Sequence, residues 1–134
     1  MDVPDDPHDP AWGEPFPDFI ESFRDHQLEA VAAIMDAYEG GARIVMLDAP
    51  VGAGKTLIAE MVRRLLQVNK ATYVCSGLDL QDQFTSDFGG DVLKGKANYP
   101  TVQGPGWVTC GDCTGRECAW CPTMGECTYQ IAKR

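Results

Sequence analysis

Apolar residues along this chain fall into three helical stripes and two short strand-like runs, the first of them unbroken. Between Asp25 and Tyr38 they sit at Leu28, Val31, Ala32, Met35 and Tyr38, the three-and-four spacing of an amphipathic helix. Gly40-Gly41 then stops it. Ile44-Val45-Met46-Leu47 is apolar at every position, the pattern of a short strand covered on both faces in a parallel sheet. Leu57, Ile58, Met61, Val62, Leu65 and Leu66 predict a second helix over residues 55–68, Ala71–Ser76 reads as a second strand, and Leu80, Phe84 and Phe88 mark a third helix. Strand, helix, strand at this spacing predicts a right-handed βαβ unit, hence an α/β fold built on a parallel sheet. Past Gly89-Gly90 the period is lost, and Gly, Pro, Cys, Trp and Thr dominate.

Between the first apolar run and the second helix lies Ala49-Pro50-Val51-Gly52-Ala53-Gly54-Lys55-Thr56. Strand, glycine-containing loop, helix is the setting in which a phosphate-binding loop works. Small residues at Gly52 and Gly54 let the backbone fold around a polyphosphate and turn its N–H groups inward. The expected nucleotide cradle is therefore Pro50, Val51, Gly52, Ala53 and Gly54. Lys55 would reach the β- and γ-phosphates and the Thr56 hydroxyl would hold Mg²⁺. A helix N-terminus beneath the loop adds its own free N–H groups and positive dipole end.

Length and charge narrow the picture. With 134 residues there is room for one core. The net charge of −9 is concentrated in residues 1–21, where Asp2, Asp5, Asp6, Asp9, Glu14, Asp18 and Glu21 face no Lys or Arg; removing those seven leaves −2 for the rest. Pro4, Pro7, Pro10, Pro15 and Pro17 share that stretch, so residues 1–15 are expected to form a disordered acidic tail. Residues 16–93 would be the nucleotide-binding part and 94–134 a Cys-rich segment. No basic-then-apolar leader and no apolar run near 18 residues occurs, which predicts a cytoplasmic protein without membrane contact. In a reducing compartment, disulfides among its six cysteines are disfavoured.

Four segments in order carry a family resemblance. The A-x-x-G-x-G-K-T form of the loop, with Ala49 where the general pattern has Gly, resembles motif I of superfamily 2 helicases. Phe23-Arg24-Asp25-His26-Gln27 lies about 25 residues upstream and is similar to the Q-motif, in which Arg24 and Gln27 would contact nucleotide. A Gln amide can both donate to and accept from an adenine edge. Val74-Cys75-Ser76-Gly77-Leu78-Asp79-Leu80-Gln81-Asp82-Gln83 resembles motif Ia, which implies that Ser76 and Gln83 touch the backbone of single-stranded DNA. Lys94-Gly95-Lys96-Ala97-Asn98-Tyr99-Pro100 resembles the stretch leading into the iron–sulfur insertion of the XPD/DinG-like (Rad3-related) helicases. Lys94 and Lys96 are candidate phosphate contacts there.

Five cysteines follow within 18 residues, Cys110, Cys113, Cys118, Cys121 and Cys127, spaced C-x₂-C-x₄-C-x₂-C-x₅-C. The resemblance implies a [4Fe–4S] cluster on four of them. Thr101 stands where the family places a cysteine, so Cys110 or Cys113 would fill the vacated corner and the spacing does not choose between them. Two C-x-x-C pairs would equally suit a tetrahedral Zn²⁺ site. Trp107 and Trp120 flank the cysteines, as cover for a metal site or as stacking platforms for bases. Cys75 belongs to the second apolar run and reads as an inert core thiol.

The resemblance implies a partial RecA-like P-loop sheet with helices on both faces and a small irregular metal-binding insertion. It implies an ATP-dependent helicase region that binds ATP–Mg and single-stranded or forked DNA, translocating 5′ to 3′. No D-E-x-H or comparable acidic pair ends an apolar run after Thr56, and a P-loop ATPase needs one to hold Mg²⁺ and orient water. The chain alone is therefore expected to bind nucleotide without unwinding DNA, a second polypeptide completing the machine. The competing readings are a non-catalytic nucleotide- and metal-binding module acting with a partner, a small P-loop kinase, and a DNA-binding metal domain with a vestigial loop.

Overall fold

The computed structural model describes residues 2–68, 70–99, 111 and 127–132, in two compact units, Met1–Val74 and Cys75–Arg134. Among the described residues the α-helices are α1 (Asp25–Glu39), α2 (Lys55–Leu65), α3 (Leu78–Phe88) and α4 (Thr128–Ala132), with 3₁₀ turns at Pro10–Trp12 and Lys96–Asn98. Among the described residues none of these is long and apolar enough to cross a membrane.

The helices follow the apolar stripes. In α1, Gln27, Val31 and Met35 face inward, and Gly40 closes the helix with its N–H on the Asp36 carbonyl. Helix α2 starts from Gly54 in the left-handed region at φ 79°. It stops three residues short of the expected end, because Gln67 turns to φ 48°, a conformation no helix interior holds. Arg63 and Arg64 lie in its last turn, where cations oppose the negative dipole end. Ile58, Met61 and Val62 are buried as α2 packs on α1 and on the Pro10–Trp12 turn.

The expected parallel sheet with helices on both faces is corrected by the structure: the described residues contain no strand. Ile44–Leu47 and Ala71–Ser76 are not helical, yet neither joins a ladder among the described residues. Their apolar side chains are largely in water, Ile44 at 83%, Met46 at 93% and Val74 at 86% exposure. A strand exists only through the hydrogen bonds of a neighbour. An apolar run supplies the side chains of a strand and not that neighbour.

Two buried rings lie at the N-terminal end, Trp12 within residues 1–15 and Phe16 directly after them. Asp9 caps the Pro10–Trp12 turn through its side chain, which accepts the Ala11 N–H at 2.7 Å. Trp12 and Phe16 are each 2% exposed. With Phe23 they form three edge-to-face pairs, ring centroids 5.2–5.4 Å apart, the arrangement favoured by aromatic quadrupoles. The Arg64 guanidinium lies 3.9 Å over the Phe16 ring and donates to the Glu14 carbonyl, so α2 and the N-terminal stretch are joined by a cation–π contact and a hydrogen bond.

Beneath that contact sits an ionic cluster. Glu60 is buried and accepts from Arg63 Nε and Nη2 at 2.8 and 2.7 Å and from Arg64 Nε at 2.8 Å. Arg63 also reaches the Glu14 carboxylate at 3.0 Å. Burial alone would raise the Glu60 carboxyl, but the two guanidinium groups outweigh it and hold it below the ordinary carboxylate range, while Arg63 is pushed up by the same bonds.

In the second unit α3 has no buried residue, and Phe84 and Phe88 stack one turn apart at 5.4 Å. The Tyr99 ring packs edge-on to Tyr129 at 5.4 Å, and its hydroxyl accepts the Lys94 N–H at 2.9 Å. Cys127, buried, precedes α4 and its carbonyl accepts the Ile131 N–H.

Candidate functional site

The loop predicted to cradle phosphate wraps the start of α2. Gly52 and Gly54 take φ values of 82° and 79°, where a β-carbon is strained, so the two glycines are required by the path of the chain. Gly54 has a second reason: a β-carbon there would stand 2.3 Å from Gln27 Nε2. Lys55 is exposed and its Nζ folds back to donate to the Ala49 and Pro50 carbonyls, both at 2.9 Å. Thr56 is the second residue of the helix, its Oγ1 3.4 Å from the Tyr73 hydroxyl.

The first turn of α1 grips this loop from the side. Arg24 Nη1 donates to Gly52 O at 3.2 Å, and Gln27 Nε2 donates to Ala53 O at 3.2 Å. His26 Nε2 stands 3.1 Å from the same Ala53 carbonyl; facing a carbonyl, that nitrogen must carry its proton. Gln27 Oε1 meanwhile accepts the Arg24 N–H at 3.0 Å. Arg24 and His26 line a cleft of about 480 Å³ together with Asp48, Pro50, Val51 and Gly52. That is within the range of small-ligand pockets.

The structure therefore brings together Arg24, Pro50, Val51, Gly52, Ala53, Gly54, Lys55 and Thr56, but it buries Gln27 behind the loop at 4% exposure. His26 and Asp48 were missed. His26 is adjacent to the motif residues, and only the turn of α1 shows that it faces the loop; Asp48 immediately precedes the loop and carries no signal of its own in the sequence.

The remaining candidates belong to the second unit. Ser76 is exposed just before Gly77, the N-cap of α3, and Gln83 is exposed on that helix. Lys94 Nζ is paired with Asp82 Oδ1 at 2.7 Å, which offsets its charge. Lys96 opens the second 3₁₀ turn. Cys110, Cys113, Cys118 and Cys121, together with Thr101, Trp107 and Trp120, lie outside the described residues. Cys127 is within them, and no group of three or more metal-ligating side chains forms among the described residues. Cys75 is half-buried, its thiol turned toward the Gly77 carbonyl.

Residues 20–106 match the family model described as the type III restriction enzyme, res subunit. No curated protein and no solved structure matches the chain.

Proposed function

The chain belongs to the type III restriction enzyme res subunit family, a helicase-like group of superfamily 2, and on that premise we propose that its first unit binds ATP–Mg at the Ala49–Thr56 loop. The observation that carries this reading is the pair of left-handed glycines leading into α2, with Lys55 and Thr56 on its first turn. Backbone N–H groups freed at a helix start, a mobile ammonium and a hydroxyl form the donor set that a polyphosphate needs. Thr56 fits Mg²⁺ as a hard oxygen ligand at the loop's edge, where the cation would neutralise phosphate charge. Calorimetric titration of the whole chain with Mg–ATP is expected to give one saturable site; a flat titration overturns the reading.

Nucleic acid is the proposed second ligand, with single-stranded DNA meeting Ser76, Gln83, Lys94 and Lys96 through its phosphates. Hydrolysis also requires a carboxylate to hold Mg²⁺ and orient water, which the Ala49–Thr56 loop does not contain, so the proposal for these residues is nucleotide binding.

The iron–sulfur assignment rests on the XPD/DinG-like resemblance, and the donor set fits it: five thiols within 18 residues, which suits four-thiolate ligation of iron or zinc. Protein purified without oxygen is expected to be brown and to hold about four irons per chain. Cys118, Cys121 and Cys127 should each be indispensable, whereas one of Cys110 and Cys113 should tolerate Ser. Colourless protein with a single zinc would replace the cluster by a tetrahedral site, and metal-free protein would end the assignment.

A further inference from the structure

The position of Gln27 bears on which nucleotides the loop accepts. An amide that reads adenine must present both its oxygen and its nitrogen to the base edge. Here both are engaged within the protein: Oε1 accepts the Arg24 N–H at 3.0 Å and Nε2 donates to Ala53 O at 3.2 Å. The side chain is 4% exposed, lies against Gly54, and is not among the residues that line the cleft.

From this we infer that Gln27 is a positioning residue for the phosphate loop, not a reader of the base, and that the site takes nucleoside triphosphates as a class. The inference rests on the nucleotide reading above. Three side chains from one turn of α1 hold two consecutive loop carbonyls, Gly52 O through Arg24 and Ala53 O through His26 and Gln27. A peptide unit is planar, so fixing the Ala53 carbonyl fixes the direction of the Gly54 N–H, while the Ala53 N–H, set by the Gly52 carbonyl, closes the loop turn on Pro50 O at 3.3 Å. The clasp thus holds the turn and presets the Gly54 N–H that a polyphosphate would meet, and a donor set in advance does not have to be ordered on binding. A contact of this kind acts on the phosphate chain whatever base is attached to it.

The test compares Mg–ATP, Mg–GTP and Mg–tripolyphosphate, which has no base, in calorimetry on the full chain and on Gln27→Glu and Gln27→Met. Glu keeps the oxygen that caps Arg24 and lacks the donor to Ala53 O; Met lacks both and brings no charge. The missing donor is the one loss the two variants share. Wild type should bind ATP and GTP within about threefold of each other, and both variants should weaken all three ligands by a similar factor, about three- to tenfold, the worth of one hydrogen bond. Loss of ATP affinity alone, with tripolyphosphate unchanged, would overturn the inference and restore base reading. Weakening in Met but not in Glu would reduce Gln27 to a helix cap, and weakening in Glu but not in Met would mark charge repulsion; either overturns it. Should the buried variants fail to fold, Arg24→Ala removes an exposed prong, and it too must weaken all three ligands alike. If wild type binds no triphosphate, the nucleotide reading itself falls; if wild type binds and every variant matches it, the clasp alone falls.

Discussion

Lys55→Ala is expected to lower Mg–ATP affinity by about a hundredfold or more, the largest effect of any single change in the loop. Hydrogen bonds to a charged group contribute about 1.5–3 kcal/mol each, and an ammonium bridging two phosphates makes two of them. In the structure Lys55 Nζ rests on the carbonyls of half-buried Ala49 and exposed Pro50, so its removal leaves no fully buried residue without a partner. The thermal midpoint should therefore hardly move while binding collapses. Equal affinity in wild type and variant, measured by calorimetry, would refute the role given to this side chain.

The second large effect is on stability. Glu60→Ala should destabilise the first unit by about 3 kcal/mol, the low end for breaking a buried ion pair, because Arg64 keeps the Glu14 carbonyl and the Phe16 ring as partners. That corresponds to a fall of roughly 12–24 °C in the melting midpoint for a unit of this size. The same cluster gives a pH signature. The folded Glu60 carboxyl is held below the value it takes in the unfolded chain, so its contribution is complete above the ordinary carboxylate range and is lost as pH falls through the folded value. Melting midpoints measured from pH 7 downward should drop more steeply below about pH 4 in wild type than in Glu60→Gln. Parallel curves would mean that the guanidinium groups do not discriminate between the two states of the carboxyl.

The helices were legible because each carries its own information. The stripe from Leu28 to Met35 sets the buried face of α1, Gly40-Gly41 ends it, and the loop glycines announce the start of α2. What failed had to come from outside the segment. Ile44–Leu47 has the residues of a covered strand, but a ladder needs a second segment beside it, and periodicity cannot report whether one is there. In the N-terminal stretch prolines and carboxylates set the composition, while two buried rings, Trp12 within residues 1–15 and Phe16 just after them, hardly change it. In the loop, residue types sufficed to pick out Gly52, Gly54, Lys55 and Thr56. The orientation of Gln27 did not follow from its type, because an amide hydrogen-bonds a base or a backbone equally well.

The aromatic triad also separates two boundaries that are easily taken as one. The family match begins at residue 20, after Trp12 and Phe16 and before Phe23. A polypeptide trimmed to the matched residues would keep every loop and helix residue of the nucleotide site. It would also uncover the faces of Phe23 and α2 that those two rings now shield, and remove the backbone carbonyl that anchors Arg64. The minimal recognisable sequence is thus shorter than the minimal cooperative folding unit, and a cleft that looks intact on paper would sit on a destabilised helix.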